Sequence, residues 1–177
     1  MPSLTDFADH AVRCREQGGG LCAFLRLDSV RRLGWPDDVI EQWLYDHADK
    51  ASFGADYGRV DLSQITWEVE ALPIDLLLKI QTGPSDDGAI EGYALAPDHW
   101  IDLRRQGVHR GVRLAWEVHG TWKRWPIIVD TGLLGSAEPG LQLVEGRTRV
   151  GVLRGRKQQG DFVAARHLAW VGRGPAD

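Results

Sequence analysis

The chain has 177 residues, 43% of them hydrophobic and 26% charged, with 21 Lys+Arg against 25 Asp+Glu and a formal net charge of −4. A domain of this length buries roughly 70% of the surface its unfolded chain exposes, which excludes a disordered chain and a small scaffold dependent on disulfides or metal. No stretch approaches the roughly 18 consecutive apolar residues of a membrane span, and the opening MPSLTDFADH carries early acids where a signal peptide carries basic and apolar regions; no membrane association and a cytoplasmic location are expected.

Ser3-Leu4-Thr5-Asp6 reads as a helix start of capping-box type, followed by Phe7, Ala8, Ala11, Val12 and Cys14 at helical spacing and ended by Gly18-Gly19-Gly20. Leu21 to Leu33 is apolar enough for either strand or helix. Trp35-Pro36-Asp37-Asp38 places Pro in a first turn and acids at the positive end of a helix dipole, with Val39, Ile40, Trp43, Leu44 and His47 on one face. From Asp61 the period changes: Ile65, Trp67, Val69 and Ala71 alternate with Thr66, Glu68 and Glu70 as in a half-buried strand. Pro73 opens a helix bearing Ile74, Leu77, Leu78 and Ile80, Gly83 to Gly88 is a solvated loop, and short helices are expected over Asp98–Arg105 and Gly111–His119. Pro126–Asp130 and Leu141–Val144 read as short strands, 147–158 as a helix broken by Gly160, and Ala164–Val171 as a last strand. The chain is therefore read as α+β, with an acidic helical section over 1–58 packed on a mixed-sheet core over 59–177.

Cys14 and Cys22 form no CxxC, and the six histidines never fall at a spacing such as HExxH, so no metal site is expected and the thiols are read as small packed groups. Charge is unevenly spread: residues 1–98 hold 8 basic and 18 acidic residues, net −10, and residues 99–177 hold 13 and 7, net +6. Either the second half meets an anion, the first meets a basic partner, or the halves face each other. Eight tryptophans are more than a chain this size exposes, so most are expected in the core.

The stretch most suggestive of chemistry is Leu141 to Gly155, read as strand, glycine turn and helix. Helix-start amides, a dipole end, the Thr148 hydroxyl and the Arg147 and Arg149 guanidinium groups would meet there, which suits a phosphate. At these residues the chain resembles the ParB/sulfiredoxin superfamily, whose hallmark is a buried strand followed by G-x-x-R opening a helix, here Gly146-Arg147-Thr148-Arg149. Some relatives use a carboxylate near the bound phosphates, so the resemblance implies Glu145 as a catalytic candidate, although an i,i+4 pair with Arg149 is the preferred reading. Ile127-Ile128-Val129-Asp130 resembles its "PIVV" strand, Ile65–Ile80 its opening strand and helix, and Ala164–Val171 its closing strand, so the resemblance covers about residues 60–172. It implies a mixed sheet with surrounding helices and a nucleotide or other phosphorylated ligand bound by Gly146, Arg147, Thr148 and Arg149, such as a nucleoside triphosphate with Mg²⁺. Any turnover would then be nucleotide hydrolysis or phosphoryl transfer.

Departures narrow that expectation. Arg147 stands where sulfiredoxins carry their reactive cysteine, which argues against sulfinic-acid reduction. Arg-Thr-Arg replaces the Glu-Arg-Arg of ParB proteins, and the sequence ends at Asp177 without a following helix-turn-helix, so direct DNA binding is not expected. An alternative from another class is a non-enzymatic immunity- or antitoxin-type protein that neutralises a basic enzyme through Asp37, Asp38 and Glu41, with Trp35 as exposed anchor and Trp43 as core.

Overall fold

The computed structural model describes residues 2–103 and 110–175. The N-terminal section is helical: α1 (Thr5–Glu16), α2 (Gly20–Leu25), α3 (Asp28–Arg31), α4 (Asp37–Val39) and α5 (Ala51–Tyr57). The start of α1 carries one arm of the expected box, since the Ser3 N–H donates to Asp6 Oδ2 at 2.7 Å. Leu21–Leu33, ambiguous in sequence, resolves as α2 and α3. Beyond α4 the chain stays helical but widens into a π-turn over Ile40–Tyr45, a register in which backbone hydrogen bonds span five residues in place of four.

β1 (Thr66–Pro73), α6 (Ile74–Leu77), β2 (Gln81–Thr82), α7 (Ala89–Ala94), α8 (Pro97–Leu103), α9 (Val112–His119), β3 (Ile127–Asp130), β4 (Leu141–Glu145), α10 (Arg147–Gln159) and β5 (Arg166–Arg173) complete the chain, which is α+β. The five strands form one mixed sheet in the order β1-β5-β3-β4-β2. β1/β5 and β3/β4 are antiparallel, while β3/β5 and β2/β4 are parallel.

Period-2 alternation divides the core across this sheet. Ile127, Val129 and Val144 face the N-terminal helices, where they join Phe7, Trp43 and Tyr57; Ile128, Leu143, Ala169 and Val171 face Trp116, Val150 and Leu153 on the other side. Each buried Val, Ile, Leu or Phe here stabilises the fold by about 1.5–3 kcal/mol before entropy is counted. Tyr57 also ties the N-terminal section to the sheet: Gln142 donates to its hydroxyl at 3.2 Å, and burial pushes the phenol pKa up to about 12.

Several expectations are corrected here. Of the alternating set, Ile65 is buried and Trp67 half-buried as expected, but Val69 and Ala71 on the edge strand β1 are exposed and Leu72 is the residue that strand buries. The helix after Pro73 is a single turn, because Gln81–Thr82 leave it to pair with β4. Cys22 is exposed and Cys14 half-buried, so the former is not a packed thiol. Trp35 is buried, 5.2 Å from Trp67 and 5.5 Å from Trp43 between ring centroids, and is a core residue in place of an exposed anchor. Trp43 is fully buried, as expected. Arg104 and Arg105, expected to end α8, lie outside the described residues. No helix among the described residues is long and apolar enough to cross a membrane.

Candidate functional site

Gly146 joins β4 to α10 with φ at 116°, a conformation that favours glycine, and a Cβ there would stand 2.5 Å from Pro126 Cβ. The turn must therefore be glycine, and it offers no side chain to cap the helix. The amides of the first turn of a 13-residue helix thus carry the positive end of its dipole at this point.

Glu145, last residue of β4, gathers the charges around that turn. Its carboxylate lies 3.1 Å from Arg149 Nη2, the expected i,i+4 pair, 3.4 Å from Arg147 Nη2 and 3.5 Å from His47 Nε2. Burial alone would raise its pKa, but the bond from His47 and the charges of Arg149 and Arg147 outweigh it and hold the carboxyl well below the usual range. Arg147 also pairs with Asp86. Burial works against the Arg147 charge as well, and Glu145 and Asp86 more than offset it, raising its pKa.

Arg149 turns toward the protein. Its Nη1 donates to the carbonyls of Arg124 and Trp125 at 3.2 and 3.1 Å, and its Nη2 to Gln42 Oε1 at 2.7 Å. The π-turn brings the buried Gln42 amide within reach, and Gln42 in turn donates to Asp38 and to the Trp125 carbonyl. Of the residues expected to bind phosphate, Gly146, Arg147 and Thr148 thus stand together at the helix start, while Arg149 is spent on joining α10 to the helix that ends in His47.

Two lobes of one cleft meet at this helix start. The first, about 150 Å³, is lined by Trp100, Trp116, Trp122, Ile101, Val112 and Val152, with Gln42, Lys123, Arg124 and Arg149 among its polar walls. The second, about 330 Å³, is polar and lined by His47, Lys50, Tyr93 and Arg147. Asp46, Glu145 and Thr148 belong to both. Lys50 Nζ lies 2.7 Å from His47 Nδ1, so the imidazole is held between Lys50 and Glu145 and stacks on Phe53 with ring centroids 5.0 Å apart. No group of three or more His, Cys, Asp or Glu among the described residues could hold a metal ion.

The acids of the alternative reading are disposed differently from a free docking face. Asp37 is exposed, but Asp38 accepts from Arg124 Nε at 2.7 Å and from Trp170 Nε1 at 3.0 Å, and Glu41 accepts from Arg124 Nη2 at 2.5 Å. Burial raises the pKa of Glu41, with Arg124 opposing. Part of the acidic half therefore faces the basic half within the molecule.

Asp46, His47, Lys50, Tyr93 and the tryptophan lobe had no motif in the sequence, because they come from three distant segments. The signals that could have found them were the excess of tryptophan and a histidine on an otherwise apolar helix face. No family model matches the chain, and no curated protein or solved structure shows significant similarity to it.

Proposed function

We propose that the protein binds a phosphorylated ligand with a planar ring, a nucleotide in the simplest case, in the cleft at the start of α10. The ParB/sulfiredoxin resemblance of the Gly146–Arg149 turn belongs to this proposal. The observation that carries it is the junction of an apolar lobe lined by three tryptophans with a polar lobe at a helix N-terminus. Rings gain from burial against indole, while phosphates gain from oriented amides and cationic side chains. In this reading Arg147, Thr148 and Lys50 hold phosphate and Trp100, Trp116 and Trp122 flank the ring. Arg149 is a positioning residue. Among the described residues no donor cluster could hold a metal ion, so in this reading Mg²⁺ would come as a counter-ion on the ligand's phosphates. Hydrolysis or phosphoryl transfer at this site is a further part of the proposal that binding alone does not require.

Calorimetry with the four ribonucleoside triphosphates and with tripolyphosphate tests this reading. Binding of at least one nucleotide, more tightly than tripolyphosphate and weakened at least tenfold by Arg147→Ala, is the expected result. Absence of binding by every ligand would overturn it.

A further inference from the structure

Asp46 is the residue that the site as described leaves unused. It stands at the end of the helix that begins at Asp37, and it lines both lobes of the cleft. Of the three residues common to the lobes, Glu145 has both oxygens occupied by His47, Arg147 and Arg149, and Thr148 already interacts within the protein. The Asp46 carboxylate, by contrast, makes no hydrogen bond or ion pair with any described residue. It is half-buried, and a half-buried carboxylate without a donor carries a desolvation cost that a ligand hydroxyl can offset.

The position says which hydroxyl. A ring in the tryptophan lobe and phosphates at the α10 start leave the connecting part of the ligand at the wall the two lobes share, and in a nucleotide that part is the sugar. We propose that Asp46 accepts hydrogen bonds from the ribose hydroxyls and makes the cleft selective for ribonucleotides over their 2′-deoxy counterparts. This rests on the ligand assignment above and adds the sugar class to it. A carboxylate that accepts only, facing vicinal donors, matches a diol and gains nothing from a deoxy position. Burial, opposed by His47, Arg124 and Lys50, raises the Asp46 pKa, so a hydroxyl donor should be felt as stabilisation of the charged form.

Calorimetry in EDTA with each of ATP, CTP, GTP and UTP against its 2′-deoxy form decides this, with tripolyphosphate as the sugar-free control. Wild-type protein should prefer the best ribonucleotide over its deoxy form by about tenfold. Asp46→Ala should abolish that preference by weakening the ribonucleotide alone, leaving tripolyphosphate unweakened. Asp46→Asn, which keeps the shape and adds a donor, should lose most of the preference with an unchanged melting temperature. A preference that survives in both variants, or a wild type that binds nucleotides without discriminating, overturns the sugar assignment and leaves the cleft reading intact. Failure of every ligand to bind overturns both.

Discussion

His167 on β5 is almost fully buried, its Nδ1 lies 2.8 Å from Thr121 Oγ1, and its Nε2 has no hydrogen-bond partner among the described residues. Burial lowers its pKa from the ordinary 6.5. Below about pH 6.5 the unfolded chain therefore takes up a proton that the native state resists, so the stability linked to this residue is whole above that pH and lost as pH falls toward the folded value. Urea midpoints should fall between pH 7.5 and 5.5, and His167→Gln should flatten the fall; an unaltered slope would assign it to other groups. Arg149 supports a second prediction. Removing it strands the buried Gln42 amide oxygen, leaves the Arg124 carbonyl without this donor, and takes one of several donors from the Trp125 carbonyl and from Glu145. Arg149→Ala should cost about 1.5–3 kcal/mol in urea unfolding, and Arg149→Lys should recover little because an ammonium cannot span that fork of acceptors. If Arg149→Ala keeps full stability but loses ligand, the guanidinium contacts phosphate after all. That sequence reading grouped Arg149 with Arg147 and Thr148 is understandable, since spacing gives proximity to the helix start but not the direction in which a long side chain turns.

At the scale of elements, α10 packs on α7 through its glycines. A Cβ on Gly151 would stand 2.4 Å from Tyr93 Cβ and 2.8 Å from the Ile90 carbonyl oxygen, and one on Gly155 would stand 2.4 Å from the Ala94 carbonyl oxygen. Alanine would gain about 1 kcal/mol of helix propensity over glycine. Overpacking against backbone costs about 1–3 kcal/mol, so the clash wins. Gly151→Ala should be destabilising on balance and should move Tyr93 in the polar lobe, which a thermal melt and a crystal structure would show; a raised melting temperature would refute the close packing. The strand-turn-helix here was legible in sequence because β4, Gly146 and α10 are consecutive and each obeys a local rule. The edge position of β1 was not, since alternation in Ile65–Ala71 is the same whether a strand lies inside a sheet or at its rim. The π-turn was likewise invisible: its apolar face fits an α-helix, and the wider register, which brings Gln42 to Arg149, leaves no mark in the spacing.

For the whole molecule, the N-terminal helices and the sheet share one apolar cluster, with Ile127, Val129 and Val144 embedded among N-terminal side chains. Arg124 and Arg149 add polar ties from the second half to Asp38, Glu41 and Gln42 of the first. Sections bound in this way should unfold together, so far-ultraviolet dichroism and tryptophan fluorescence should give coincident urea transitions; separated midpoints would show that the helices open before the sheet. The change of period near Asp61 made the helical and strand-rich sections visible in sequence, whereas the cleft arises only when 42–50, 93–101, 112–124 and 145–152 converge. The most direct test of that cleft is a ¹H–¹⁵N titration with the tightest-binding nucleoside triphosphate. The account predicts that the indole N–H signals of Trp100, Trp116 or Trp122 shift together with the backbone amides of Arg147 and Thr148, while those of Trp35 and Trp43 stay fixed. Shifts confined to Trp125 and Trp170, or no saturable shift at all, would contradict it.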